Sequence, residues 1–250
     1  MEVYHYLLVF GVGVLCGFIN VVAGGGSLLT LPVLIFMGLP PSVANGTNRV
    51  GIFMQNVFAV KGFKSKGVSA FPFAIWLSIT SVIGAIIGAK VAIDISAELF
   101  NRILAIVMVV VLLMTFFGTA KSREGIEEDM SKKKRITSII LFFFIGIYGG
   151  FIHAGIGFVI MAVLSMVNKM SLVKVNSIKV FVALVYTFFS LIVFIWEGQI
   201  DWIIGLTLGA GSALGGWSAS QWSVAKGDKW IRYFLIVAVS GMAIKLWFFS

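Results

Sequence analysis

Apolar residues fill the chain in long runs at about residues 4–23, 27–38, 47–61, 69–91 and 98–118, and again at about 136–154, 157–168, 178–196, 201–222 and 230–249. A helix crossing a hydrocarbon core of about 30 Å needs about 20 residues. Most runs approach that length, but 27–38 and 157–168 fall short and are read as re-entrant half-helices. Gly24, Gly25 and Gly26 stand between the first two runs, and each glycine costs about 1 kcal/mol against alanine inside a helix. The pattern therefore predicts a broken helix at membrane depth, where freed backbone groups must face protein or water because lipid cannot pair with them. The fold class expected is an all-α polytopic membrane protein.

The series of runs repeats. Gly17-Phe18-Ile19 matches Gly150-Phe151-Ile152, and after a two-residue gap Ala23-Gly24-Gly25-Gly26 matches Ala154-Gly155-Ile156-Gly157. From there Asn45 answers to Asn176, Arg102 to Arg232, and the Gly84/Gly88 pair to Gly211/Gly215. Two homologous transmembrane repeats are expected, at residues 1–120 and 136–250, joined by a charged linker at 121–135. Each repeat would hold a glycine-broken re-entrant helix pair and about three spanning helices. Lys61, Lys64 and Lys66 make one short loop basic, and Lys132, Lys133, Lys134 and Arg135 do the same for the linker, so both are assigned to the cytoplasm. The loop with Glu197 and Asp201 carries no basic residue and is assigned outside, whereas that with Lys226, Lys229 and Arg232 is assigned inside. The repeats would then be inverted, with both termini external, an arrangement used by many secondary transporters with the site between the halves.

Composition agrees: 60% of the 250 residues are hydrophobic and only 12% charged, and mean hydropathy is +1.06. That leaves little mass outside the membrane for a catalytic or nucleic-acid-binding domain. The net charge of +9 is scattered between apolar runs, which suits anionic lipid headgroups rather than nucleic acid. The single cysteine, Cys16, excludes an internal disulfide and reads as a small buried hydrophobe. The N-terminal MEVYHY lacks a basic n-region, so residues 4–23 are expected to be a retained helix.

Charge placement narrows the substrate. The ten carboxylates are Glu2, Asp94, Glu98, Glu124, Glu127, Glu128, Asp129, Glu197, Asp201 and Asp228, and none falls mid-run. Cation carriers and proton pumps usually place an Asp or Glu at the midplane. Near the breaks stand neutral and basic groups instead: Asn20, Ser27, Asn45, Thr47, Asn48 and Arg49, then His153, Asn176, Ser177 and Lys179. An anion is the substrate that fits.

Asn45, Asn48, Arg49, Ile52, Gln55 and Asn56 recur at three and four residues and share one helix face. The same face 131 positions later carries Asn176, Lys179, Val180, Ala183, Tyr186 and Thr187. Such a stripe faces a cavity, or it joins helices by hydrogen bonds; both readings stay open. Half-helices beginning near Ser27 and Phe158 would offer N–H groups and a positive dipole end to an anion at Gly24–Ser27 and at Gly155 and Gly157, unless the glycines serve close packing alone. Gly84/Gly88 and Gly211/Gly215 read as packing pairs. His153 takes the place of Asn20; it either shuttles a proton or hydrogen-bonds between helices. His5 is given no role, and Trp196, Trp202, Trp222, Trp230 and Trp247 read as interface anchors.

GFINVVAGGGSLLTLPVLIFMGLPPSVANGTNRV, at residues 17–50, and its weaker echo GGFIHAGIGFVIMAVLSMVNKMSLVKVNSIKV resemble the paired glycine-rich repeats of the TauE/SafE sulfite exporter family, also called TSUP transporters. The second copy departs from the first in having Ile156 inside the glycine run, no following proline, and Lys169 where the first has Gly38. The resemblance spans essentially the whole chain and implies transport of sulfur-containing anions, such as sulfite or sulfonated organic acids, across the bacterial inner membrane. No nucleotide-binding signature appears. Neither a cofactor nor a metal is expected, and the partners expected are a small anion and membrane lipids, with a homo-oligomer left open. An intramembrane enzyme acting on a thiol or lipid, or a passive anion channel, stand as the other readings; Ser27 has no evident base for the first.

Overall fold

The computed structural model describes residues 3–68, 72–117 and 127–249; linker positions 121–126 lie outside the described residues. Among the described residues every regular element of the chain is an α-helix. Its elements are α1 (Val3–Val22), α2 (Ser27–Phe36), α3 (Pro41–Ser65), α4 (Phe73–Asp94), α5 (Ala97–Phe117), α6 (Lys132–Phe151), α7 (Ile156–Val167), α8 (Leu172–Trp196) and α9 (Trp202–Phe249). Non-helical backbone at Gly227 (φ 72°, ψ −175°) divides α9, which restores the two runs read at 201–222 and 230–249. Among the described residues α1, α4, α6 and α8 are long and apolar enough to cross a membrane, whereas α2 and α7 are shorter apolar helices. The second half-helix starts at Ile156 rather than near Phe158, because Gly155 in the left-handed region (φ 70°) already turns the chain into it.

The stripe-bearing helices are longer than their apolar runs. α3 begins at Pro41, a residue whose fixed φ suits the first helical turn, and α8 begins behind Ser171, whose side chain accepts from the Lys174 N–H. α3 has the length to span, yet Asn45, Asn48, Arg49, Gln55 and Asn56 dilute its hydropathy. All five are buried, so the polar stripe is turned away from lipid.

Glycine crossings hold the bundle together. A Cβ on Gly13 or Gly17 of α1 would run into the backbone of α9 at Leu208 and Ser212, and one on Gly211 or Gly215 would run into α1 at Phe10 and Val14. The same relation joins α4 and α6: Gly84 and Gly88 face Phe143 and Ile147, while Gly146 and Gly150 face Ser81 and Ala85. Lipid offers no hydrophobic drive for helix association, so close backbone approach supplies the packing energy. In the repeat alignment α1 corresponds to α6 and α4 to α9, so the two contacts correspond and each runs from one half to the other. The core lies at this exchange, where Ile19, Val21 and Val22 pack with Ile156, Ile160 and Val180. Phe100 and Leu104 of α5 cover the breaks, against Leu28, Leu31, Ile152 and Ala154.

The described end of the linker straps across the α7–α8 turn. Asp129 N–H donates to the Asn168 carbonyl at 3.0 Å and Lys174 Nζ pairs with Glu128 Oε2 at 2.7 Å, while from α6 Ser138 Oγ donates to Asn168 Oδ1 at 2.7 Å. Hydrogen bonds from Ser131 hold the Asp129 carboxyl below its ordinary range.

Candidate functional site

A broken helix leaves its last carbonyls without intrahelical partners, and inside a membrane the protein itself must supply donors. Each half caps the break of the other. At the end of α6, Asn45 Nδ2 donates to the Phe151 carbonyl at 2.7 Å. Arg49 donates through Nη1 to the Gly149 carbonyl at 3.1 Å and to Ser190 Oγ at 3.0 Å, and through Nη2 to the Gly150 carbonyl and Asn45 Oδ1. Its guanidinium also lies 4.7 Å from the centre of the Phe194 ring. At the end of α1, Asn176 Nδ2 donates to the Val22 carbonyl at 3.3 Å, while Lys179 Nζ donates to the Val21 carbonyl and to Asn176 Oδ1, each at 2.7 Å. A cation at a helix C-terminus also meets the negative end of the dipole. Asn45, Arg49 and Asn176 thus hold helix ends in this conformation, a role that residue type and spacing alone do not reveal because the capped carbonyls lie 100 or more positions away.

The two glycine runs meet. Gly24 (φ 85°) lies against Gly157 with no room for a Cβ on either, and the Gly157 N–H donates to the Gly24 carbonyl at 3.3 Å. That N–H is therefore spent on the opposite break rather than offered to an anion. Gly26 packs on the Cys16 carbonyl; Gly25 completes the turn, its carbonyl accepting from the Leu28 N–H at 3.0 Å. Ser27 is buried as the first residue of α2. Two more predicted residues lie in the scaffold. Thr47 Oγ1 accepts from the Asp201 N–H at 2.9 Å, at the entrance to α9, and Asn48 Oδ1 accepts from Thr30 Oγ1 at 2.7 Å, tying α3 to α2.

Beside the glycine contact lies a small cavity of about 10 Å³, with Asn20, Gln55, Asn56, His153 and Lys179 as its polar wall and Ile156, Gly157, Ile160, Val180 and Ala183 as the remainder. That is space for about one water. Asn20 Nδ2 donates to Gln55 Oε1 at 3.2 Å, and Tyr186 Oη lies 3.0 Å from His153 Nδ1. Under the repeat alignment these pairs correspond: His153 stands for Asn20 and Tyr186 for Gln55. His153 sits in the left-handed region (φ 59°), uncommon for a residue with a side chain; the neighbouring break holds it there. No carboxylate lines the cavity, and among the described residues no cluster of His, Cys, Asp and Glu could hold a metal ion.

Of the residues read as candidate substrate contacts, the structure gathers Asn20, Gln55, His153, Gly157, Lys179 and, through His153, Tyr186. It adds Asn56, Val180 and Ala183, which the stripes contained, and Ile156 and Ile160, which the stripes did not contain. A larger apolar cleft of about 370 Å³ between α5, α6 and α7 has Tyr148 as its polar side chain, and the Tyr148 hydroxyl donates to the Ala154 carbonyl. It has nothing to hold an anion.

The family profile described as sulfite exporter TauE/SafE matches residues 9–246. The chain belongs to the TauE/SafE sulfite exporter family. A "Probable membrane transporter protein ORF9" from a Sinorhizobium species is 25% identical over 97% of the chain and 93% of its own length. A "Probable membrane transporter protein" of Haemophilus influenzae is 25% identical over 96% and 93%, and "Probable membrane transporter protein YfcA" of Escherichia coli K12 is 28% identical over 96% and 88%. No solved structure matches. With its apolar helices this TauE/SafE chain is a multi-pass membrane transporter, and its bacterial relatives support an inner-membrane location.

Proposed function

We propose that this TauE/SafE transporter is a secondary carrier of small sulfur-containing anions such as sulfite, sulfoacetate or related organosulfonates, and that it works by alternating access around the central cavity. The observation that carries this reading is the cavity's chemistry: a buried ammonium, Lys179 Nζ, with amides and an imidazole around it and no carboxylate. An ammonium away from water and acids favours an incoming anion as counter-charge. The cavity is too small for sulfite as it stands, so binding requires the helices around it to move. Opening then requires the helix ends capped by Asn45/Arg49 and by Asn176/Lys179 to part on alternate sides. The reciprocal caps support the reading of two inverted repeats, and no enzymatic step is needed.

The test is counterflow in liposomes reconstituted with the purified chain. Vesicles preloaded with unlabelled sulfite are expected to accumulate labelled sulfite transiently and saturably. Conductance without counterflow would make the protein a channel, and absence of any flux of sulfite, sulfoacetate or ethanesulfonate under proton or anion gradients would sink the proposal.

A further inference from the structure

The polar wall of the cavity contains two short hydrogen-bonded relays. In the first, Asn20 Nδ2 donates to Gln55 Oε1 at 3.2 Å and Gln55 Nε2 donates to Asn56 Oδ1 at 3.4 Å. An amide that accepts at its oxygen keeps its nitrogen as donor, so each link orients the next. The relay ends at Asn56 Nδ2, which is buried without a hydrogen-bond partner on a residue that is 1% exposed. In the second, Tyr186 Oη lies 3.0 Å from His153 Nδ1. A hydroxyl donating there leaves the ring proton on Nε2. Lys179 spends two of its three ammonium hydrogens on the Val21 carbonyl and Asn176 Oδ1, and one remains.

We propose that both relays are polarised toward the cavity, and that Asn56 is a substrate-contacting donor beside Lys179 and His153 Nε2. Gln55 is then a positioning residue that sets the sign of charge the site accepts. This rests on the cavity being the anion site. Polarisation runs along such chains and strengthens the terminal donor, and an amide N–H buried without an acceptor is costly, so the unpartnered Asn56 Nδ2 favours a ligand rich in acceptor oxygens. The relay also runs in reverse on paper: Asn56 Nδ2 donating to Gln55, Gln55 to Asn20, and Asn56 Oδ1 facing the cavity. That polarity presents an acceptor and disfavours anions, so the direction of three amides decides the selectivity.

Two nearly isosteric substitutions separate the polarities. Asn56→Asp puts a charged acceptor where the donor stood, and Gln55→Glu still accepts from Asn20 Nδ2 but cannot donate to Asn56 Oδ1, which turns the Asn56 amide around so that its nitrogen faces residue 55 and its oxygen the cavity. Binding of sulfite and of ethanesulfonate to the full-length chain in detergent, read by titration calorimetry, is expected to weaken about 100-fold or more in Asn56→Asp and about 10- to 100-fold in Gln55→Glu, as for losing a hydrogen bond to a charged group. Gln55→Met, which breaks the relay without reversing it, is expected to lose less than Gln55→Glu. Wild-type affinity in folded Asn56→Asp, or equal losses in Gln55→Glu and Gln55→Met, would overturn the inference while leaving the transporter reading intact. A wild-type chain that neither binds nor moves any anion removes that reading and this one with it. Should the variants fail to fold, ¹⁵N shifts of His153 in a His5→Gln background decide independently: an Nε2–H tautomer is expected, and an Nδ1–H tautomer overturns the second relay.

Discussion

Gly157→Ala and Gly24→Ala are expected to be strongly destabilising single-methyl changes. A Cβ on Gly157 meets the Cα of Gly24, and a Cβ on Gly24 meets the Gly157 backbone, with no flexible side chain to yield on either side. Overpacking of this kind costs about 1–3 kcal/mol, and at Gly24 the left-handed backbone (φ 85°) adds about 1–2 kcal/mol for any residue with a Cβ. Against a total stability of about 5–15 kcal/mol, the change at Gly24 removes a large share. Gly38→Ala separates the two contributions, because Gly38 is also left-handed (φ 94°) but faces open space. Gly11→Ala, with nothing within 4 Å and a helical position, is expected to be neutral or slightly stabilising. Thermal unfolding followed by size-exclusion recovery ranks the four. Near wild-type melting of Gly157→Ala would mean that the two breaks do not touch.

Arg49→Met is the second large effect. The methionine roughly fills the volume but leaves the Gly149 and Gly150 carbonyls and the Ser190 hydroxyl without their donor. A buried acceptor left unpaired costs about 1–3 kcal/mol, so loss of both carbonyl contacts costs about 2–6 kcal/mol. Arg49→Lys keeps the charge but not the planar fork that reaches two carbonyls at once, and it is expected to fall between wild type and Arg49→Met. The same comparison at the other break gives a different pattern. Lys179→Met loses the cap on Val21 but also the cavity's ammonium, so its loss in binding is expected to exceed its loss in stability. Equal thermal effects at the two positions would contradict the asymmetry of the two caps, one a guanidinium on two carbonyls and the other an ammonium on one.

The fold was legible because membrane helices declare themselves by composition and length. The two short runs, the triple glycine and the shifted second copy located both half-helices to within one or two residues at their starts. The polar stripe told that α3 and α8 turn one face inward, but not what that face meets. Asn45, Arg49, Asn176 and Lys179 have the residue types of anion ligands and equally those of helix caps, and only the placement of Phe151 beside Asn45, or of Val21 beside Lys179, separates the roles. The glycines carry a similar ambiguity. A Gly-rich helix start can cradle an anion or admit a neighbouring backbone, and the contact between Gly24 and Gly157 is made by two residues with no side chain to hint at it. His153 and Tyr186 occupy the positions of Asn20 and Gln55 in the repeat, but that each pair touches is visible only in the structure.

Lys179 both caps a break and supplies the basic group of the cavity wall, so it is the residue on which an anion site here depends. Titration calorimetry of sulfite into the purified wild-type chain and into Lys179→Met, both shown to be folded by size-exclusion chromatography, is the most direct measurement. Saturable one-site binding to wild type that disappears in Lys179→Met is the result expected. Equal affinity in the two proteins would contradict an anion site at this cavity.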